Sequence, residues 1–195
     1  IVISGPNAGG KSITLKTIGL LQVMLQSGLL IPVHPRSSVC IFNRILTDIG
    51  DNQSIENHLS TYSYRLKNMR SFLKQCDPNT LFLIDEFGTG TDPHLGGAIA
   101  EVILEKLAAT GAYGIITTHY ANLKALASQV DGLQNGRMIF DEQHLIPTFR
   151  LEQGKPGSSY TFEVAKNSGL PARLIKEARS RVASENVDLE DLLRQ

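Results

Sequence analysis

This 195-residue chain has no long apolar run, only two cysteines and no excess of basic residues. It therefore lacks the features typical of membrane proteins, of disulfide-rich proteins and of proteins that bind polyanions through their net charge. Nineteen basic side chains balance nineteen acidic ones, so a DNA partner would need a local contact or parts outside the chain. Cys40 and Cys76 form no C-x-x-C unit, which fits a reducing compartment and argues against a thiolate metal site. No apolar run reaches the ~20 residues of a membrane span, and the first residues do not show a basic segment followed by an apolar one, the pattern of a signal peptide. We therefore expect a cytoplasmic protein without a membrane partner.

What the chain does have is an alternation of strand and helix patterns, and 42% hydrophobic residues suffice for one sizeable core. The run "TLFLIDE", residues 80–86, is typical of a strand buried on both faces of a parallel sheet. We expect helices over residues 12–27, 60–76 and 94–111, and further strands over 37–42, 44–50 and 112–120. This alternation predicts an α/β fold with a mostly parallel sheet flanked by helices and active groups at the carboxyl ends of the strands.

The last third of the chain breaks this alternation. The run "GRMIFDEQHLIPTFRLEQG", residues 136–154, predicts an antiparallel β-hairpin at the edge of the sheet. Residues 161–185 predict two helices separated by a turn at Gly169 and Pro171. We expect a main domain over residues 1–150 and a C-terminal loop and helical extension over residues 151–195. One apolar stripe could belong to a core or to a dimer interface; it consists of Leu170, Leu174, Ile175, Ala178 and Val182.

The segment "ISGPNAGGKS", residues 3–12, matches the phosphate-loop pattern G-x-x-x-x-G-K-[ST]. Glycines allow backbone N–H groups to approach phosphate oxygens closely, and the N-terminus of the following helix adds positive potential. We expect Lys11 to contact the β- and γ-phosphates and Ser12 to coordinate Mg²⁺. The alternative, a chance glycine-rich turn, is disfavoured by the apolar strand before it and the apolar helix after it. The nucleotide-binding residues expected here are Gly5, Pro6, Asn7, Ala8, Gly9, Gly10, Lys11 and Ser12.

Two carboxylates and a histidine follow buried strands further along the chain. Asp85 ends the apolar run and is the expected metal ligand, while Glu86 is placed to polarise a water for attack on the γ-phosphorus. Alone, this pair could also be a capping aspartate and a solvated glutamate at the end of a strand. His119 ends the strand pattern "ITTHY" and would otherwise be a structural residue, but neighbouring strands would bring it to the γ-phosphate. Glu86, His119 and Lys11 are the expected catalytic residues.

The order of these motifs is similar to that of ABC-type P-loop ATPases, but the L-S-G-G-Q signature of that class is missing. In its place stands "LSTYSYRL", residues 59–66. Together with "GPNAGGKS", "LIDEFGTGTDP" and "ITTHY", this segment resembles the ATPase domain of MutS proteins. The segments "GDNQSIENHLST" and "GTGTDP" are most similar to the second bacterial branch of MutS paralogues. The likeness covers nearly the whole chain.

This resemblance implies a homodimer with two composite ATP sites. Ser60 and Thr61 of one subunit would face the γ-phosphate held by the phosphate loop of the other, and Asn7 would contact phosphate or the attacking water. A simple helix cap is the alternative role for the Ser-Thr pair. The resemblance also implies strands upstream of residue 1 that complete the adenine pocket, and DNA-contacting segments outside this chain. The loop after Glu86 would cross the dimer interface, and the C-terminal helices would contribute to dimerisation.

The function implied is Mg²⁺-dependent ATP hydrolysis that changes the shape of a dimer acting on mismatched or branched DNA. The alternative is a nearly inert, ATP-switched binding module acting on branched DNA or on stalled ribosomes. A transporter ATPase is a weaker third hypothesis, because the L-S-G-G-Q signature is absent. The cofactors expected are ATP and Mg²⁺.

Overall fold

A computed structural model of the protein describes residues 1–6, 9–50, 61–141, 144, 146–158 and 161–192. Of the residues predicted to bind nucleotide, Asn7, Ala8 and Ser60 lie outside this set. The chain divides into two compact units, Ile1–Ser158 and Ser159–Gln195. The functional division expected after residue 150 stays a prediction.

One sheet forms the centre of the first unit, and helices flank it. Its strands are β1 (Val2–Ser4), β2 (Arg44–Asp48), β3 (Thr80–Ile84), β4 (Tyr113–Thr117), β5 (Asn135–Asp141) and β6 (Ile146–Gln153). Its helices are α1 (Lys11–Gln26), α2 (Thr61–Gln75), α3 (Pro93–Ala109) and α4 (Ala121–Leu126). The strand order is β2-β3-β4-β1-β5-β6, with every pairing parallel except β5 with β6. The expected mostly parallel α/β sheet is confirmed, and β5 and β6 are the antiparallel strands at its edge.

The two faces of β3 explain why helices cover both sides of the sheet. Leu81 and Leu83 pack in a buried cluster with Leu15 of α1, whereas Phe82 and Ile84 pack in a second cluster with α2, α3 and α4. All five residues of β3 are buried. Successive strand side chains point to opposite faces, so a continuous apolar run is stable only between two helical layers. Each such side chain contributes about 1.5–3 kcal/mol by burial.

The strand expected over residues 37–42 was wrong, because the backbone of this segment pairs with glutamine side chains of α1. The amide of Gln26 donates to the Phe42 carbonyl (3.0 Å) and accepts from the Phe42 N–H (2.9 Å). Gln22 donates to the Cys40 carbonyl at 2.9 Å. A side-chain amide carries the same donor and acceptor as a peptide group, so it can take the place of a neighbouring strand.

The second unit contains α5 (Thr161–Asn167) and α6 (Ala172–Leu192), and the expected turn at Gly169 and Pro171 separates them. Gly169 has a φ of 83°, in the left-handed region that glycine favours. Within the apolar stripe, Leu174 and Val182 are exposed while Ile175 is buried. Among the residues that the structure describes, no helix is both long and apolar enough to cross a bilayer.

Candidate nucleotide-binding site

Three neighbouring parallel strands bring the predicted site residues to the end of the sheet where the strands have their carboxyl termini. The order β3-β4-β1 places the carboxyl ends of these strands side by side. Asp85 follows β3, His119 lies two residues after β4, and the phosphate loop follows β1. The structure therefore brings Lys11, Ser12, Asp85, Glu86 and His119 together, although they are spread over more than half of the chain.

Lys11 lies beneath the phosphate loop, with only 4% of its surface exposed. Its Nζ atom donates to the carbonyl oxygens of Gly5 (2.8 Å) and Pro6 (2.9 Å). Burial lowers the pKa of Lys11 to about 8, although the negative charges of Asp85 and Glu86 oppose this shift. A cation buried on neutral carbonyl groups is poorly compensated, so the loop favours an anionic ligand.

The N-terminus of α1 is also open to an anion. Gly10 precedes the helix with a φ of 86°, and no side chain among the described residues caps its first N–H groups. Uncapped N–H groups at a helix N-terminus bind phosphate oxygens well. Gly10 meets a second constraint, because an added Cβ atom would lie 2.9 Å from the ring of Phe149 on β6. Phe149 is itself exposed, and it also has a positive φ of 55°.

Ser12 and Asp85 provide adjacent oxygen atoms where a metal ion would be needed. Ser12 Oγ donates to Asp85 Oδ1 at 3.1 Å, and Thr117 Oγ1 donates to the same oxygen at 2.5 Å. Mg²⁺ is commonly bound by one or two protein oxygens together with phosphates and waters, rather than by a complete protein cage. The described residues contain no cluster of three or more ionisable ligands. This donor set therefore fits a magnesium ion that arrives with nucleotide.

The backbone of Glu86 is held in an unusual conformation, with a φ of 51°. A non-glycine residue in this region costs roughly 1–2 kcal/mol, so surrounding contacts must maintain it. Its N–H donates to Thr117 Oγ1 at 2.8 Å, and its carbonyl accepts from Thr89 Oγ1 at 2.8 Å and Arg65 Nη1 at 2.9 Å. The Glu86 side chain remains exposed, as a residue that contacts a water or a substrate should be.

His119 lies within electrostatic range of the same groups. Its pKa is lowered from 6.5, first by burial and then by the positive charge of Lys11, while Glu86 opposes the shift. At neutral pH the imidazole is therefore uncharged and able to donate or accept one hydrogen bond.

The start of α2 completes the set of predicted residues. Thr61 is the first residue of this helix and is exposed, whereas Ser60 lies outside the described residues. Asn68 Nδ2 donates to Asp48 Oδ1 at 2.9 Å and so fixes the helix to the end of β2. The expected contact between the Ser-Thr pair and the phosphate loop of another subunit stays a prediction.

Comparison with known proteins decides the family, because the model of MutS domain V matches residues 1–185. The chain belongs to the MutS family. It is 47% identical over 193 residues to "Endonuclease MutS2" of Clostridium botulinum (strain Loch Maree / Type A3), covering 99% of this chain and 24% of that protein. It is 48% identical over 195 residues to "Endonuclease MutS2" of Clostridium beijerinckii, covering 100% of this chain and 25% of that protein. A relative of the same name from Lactiplantibacillus plantarum is 48% identical over 193 residues, with coverage of 99% and 24%.

The MutS-like ATPase domain expected from the motifs is thus confirmed at the level of the family, and the relatives are MutS2 proteins. The chain spans about a quarter of the length of these curated relatives. The activity, substrates and partners of the whole protein are therefore matters of proposal.

Several residues of this MutS domain V site were not found from the sequence. Thr117 donates to the Asp85 carboxylate and accepts from the Glu86 N–H, and Arg65 donates to the Glu86 carbonyl group after β3. Phe149 lies against Gly10, and Gly157 contacts Ser4 beside the phosphate loop. None of these residues has a local sequence signal, because each contacts a part of the chain at least 20 positions away.

Proposed function

We propose that this chain is the Mg²⁺-dependent ATPase domain of a MutS2-like protein and hydrolyses ATP to ADP and phosphate. The observation that carries this proposal is the convergence of Lys11, Ser12, Asp85 and Glu86 around one uncapped helix N-terminus. A buried cation, a hydroxyl-carboxylate pair and a neighbouring exposed carboxylate are the groups that phosphoryl transfer to water requires. MutS domain V, which the chain matches almost completely, is an ATPase domain.

Each residue has a separate role in the proposed reaction. The phosphate loop and the N-terminus of α1 bind the phosphates, and Lys11 neutralises charge on the β- and γ-oxygens. Ser12 and Asp85 would hold Mg²⁺, which supplies further charge neutralisation on those oxygens. Glu86 accepts a proton from a water that attacks the γ-phosphorus in line with the departing ADP oxygen. Neutral His119 would donate a hydrogen bond to the γ-phosphate.

The decisive experiment replaces Glu86 by glutamine in the full-length protein. Glu86→Gln keeps the side-chain shape but cannot accept the proton, so we expect ATP binding to persist while steady-state turnover falls by about 10²-fold or more. Glu105→Gln is the matched control, since Glu105 is an exposed glutamate on α3 with no hydrogen bond or ion pair to the site among the described residues. A Glu86→Gln protein that turns over at the wild-type rate would remove Glu86 as the base.

The oligomeric state of the protein and the target of this activity are also proposals. A homodimer with Ser60 and Thr61 facing the γ-phosphate of the partner chain would complete each site. The relatives are named endonucleases, which favours DNA as the target of the whole protein, contacted through segments outside this chain.

A nearly inert ATP switch is the second candidate, on branched DNA or on stalled ribosomes. One observation favours it: two of the three donors of the Lys11 ammonium are already bonded to Gly5 and Pro6, which leaves one donor for phosphate unless Lys11 changes partners. Turnover far below roughly 1 s⁻¹, the lower end of typical kcat values, would support this candidate if ATP still drives dimerisation.

A further inference from the structure

One arginine of α2 contacts the backbone that carries both carboxylate residues of the site. Arg65 Nη1 lies 3.0 Å from the carbonyl oxygen of Asp85, 2.9 Å from that of Glu86 and 3.3 Å from Thr89 Oγ1. Arg65 is 20 residues from Asp85 in the chain, so this contact links two separate elements of the fold. It joins the first turns of α2 to the loop after β3.

Arg65 contacts a stretch of backbone that the hydrogen bonds of the sheet do not hold in place. β3 ends at Ile84, so the carbonyl groups of Asp85 and Glu86 lie beyond the regular ladder of the sheet. Glu86 has a positive φ, which a residue with a side chain adopts only when its surroundings hold it there. On its N–H side the holding group is Thr117, and on its carbonyl side it is Arg65 together with Thr89. Removing Arg65 takes a charged donor from two carbonyl groups at once.

The helix that carries Arg65 is itself anchored close by. Asn68 of α2 donates to Asp48, and the backbone N–H of Asp85 donates to the carbonyl oxygen of Asp48 at 2.9 Å. Asp48 is buried, with 5% of its surface exposed. Asn68 and Arg65 lie three residues apart and therefore face the same side of α2. The position of Arg65 is thus fixed by α2, and α2 is fixed by the end of β2.

We propose that Arg65 is a positioning residue for the hydrolytic reaction, which sets the orientation of Glu86 according to the position of α2. The inference rests on the proposed function, because it assigns Arg65 a role only through Glu86. It adds that α2 controls the hydrolytic step of its own chain through a hydrogen-bonded side chain. Because Thr61 begins the same helix, a ligand that moves the start of α2 would also move Glu86.

The test uses four versions of the full-length protein: wild type, Arg65→Ala, Arg65→Lys and the control Arg70→Ala. Arg70 is an exposed arginine on the same helix, without an ion pair among the described residues. We expect Arg65→Ala to lower kcat about tenfold to a hundredfold, as a small misplacement of a catalytic group does. The KM for ATP and the affinity for the non-hydrolysable analogue AMP-PNP should stay near wild-type values. The melting temperature should fall modestly, because hydrogen bonds between α2 and the loop after β3 are lost.

Arg65→Lys sharpens the test, because all three contacts are made by one nitrogen atom. A lysine ammonium has three donors on one nitrogen and can satisfy the same acceptors, so most of the lost kcat should return. A loss of AMP-PNP affinity in parallel with kcat would show a general structural role and overturn the inference. An Arg65→Lys protein no more active than Arg65→Ala would overturn it as well.

The controls separate this inference from the proposed function. If wild type and Arg70→Ala hydrolyse ATP and Arg65→Ala matches their kcat, the inference alone is contradicted. If wild type has no ATPase activity, the proposed function fails and the inference fails with it.

Discussion

Lys11 carries its charge in a place that is nearly closed to water. It is 4% exposed, and its two hydrogen bonds go to the neutral carbonyl groups of Gly5 and Pro6. Burial is the main reason that its pKa falls to about 8, from an ordinary value of 10.5. Phosphate groups at the loop would favour the charged form and raise this pKa again.

We therefore expect the protein to take up a proton when it binds nucleotide above pH 8. In the free protein Lys11 loses its proton as the pH rises through about 8, whereas in the complex it keeps the proton to higher pH. Affinity for ADP should be constant near pH 7 and fall by up to about tenfold per pH unit above pH 8. Calorimetry in buffers of different ionisation enthalpy measures the proton uptake directly. Constant affinity from pH 7 to pH 9.5 would contradict the lowered pKa.

The residues of the site differ in how far the sequence could predict them. The phosphate loop, Asp85 and Glu86 are predictable because their chemistry depends on local order along the chain. Arg65 and Thr117 are not, because they act on residues 20 and 32 positions away. Such contacts depend on which strands are neighbours and on where α2 lies, and neither is encoded in a local pattern.

At the scale of elements, the segment after β6 lies directly against the start of the phosphate loop. The N–H of Gly157 donates to Ser4 Oγ at 2.7 Å, and its carbonyl accepts from Lys124 Nζ at 3.0 Å. A Cβ atom at residue 157 would lie 2.4 Å from the backbone oxygen of Ser4. The close approach of two backbone segments thus requires glycine here. The sequence placed Gly157 only within the C-terminal loop and helical extension.

Gly157→Ala should therefore disturb both stability and nucleotide binding. The new methyl group meets backbone atoms that cannot move aside, so we expect a loss of roughly 1–3 kcal/mol in unfolding free energy and weaker ADP binding. Chemical unfolding and calorimetric titration measure the two effects.

Gly154→Ala is the matched control for this change. Gly154 has a φ of 85° but nothing within 4 Å of an added Cβ atom. Its replacement should cost about 1 kcal/mol of stability and leave ADP affinity unchanged. Equal ADP affinity in both variants would show that the contact with Ser4 does not support the loop.

Most elements were predictable, but the sequence analysis did not predict α4, and it predicted a strand over residues 37–42 where the structure has none. Helical periodicity predicts α1, α2 and α3. The continuous apolar run predicts β3, because a strand buried on both faces of a sheet requires such a run. Residues 37–42 have a strand-like composition, yet Gln22 and Gln26 of α1 take the hydrogen bonds that a strand partner would make. The sequence shows two glutamines four residues apart. Which backbone groups they bind depends on how α1 packs on the sheet, and no local pattern predicts that packing.

At the scale of the whole molecule, the proposed reaction needs a group over the γ-phosphate on the side opposite the loop. The proposed dimer supplies it through the N-terminus of α2, which begins with the exposed Thr61. A helix N-terminus stabilises an anion, and hydroxyl groups at that position can donate to phosphate oxygens. Each ATP would then be held by the phosphate loop of one subunit and by Ser60 and Thr61 of the other.

A mixing experiment on the full-length protein tests this arrangement. Lys11→Ala and Ser60→Ala should each inactivate both sites of a homodimer. In a mixed dimer, one site combines both defects, while the other combines an intact loop with an intact Ser-Thr pair and should hydrolyse ATP. Random exchange of equal amounts should restore about a quarter of the wild-type rate, because half of the dimers are mixed and each has one working site. If both residues served the same chain's site, every site would carry one defect, and mixing would restore nothing.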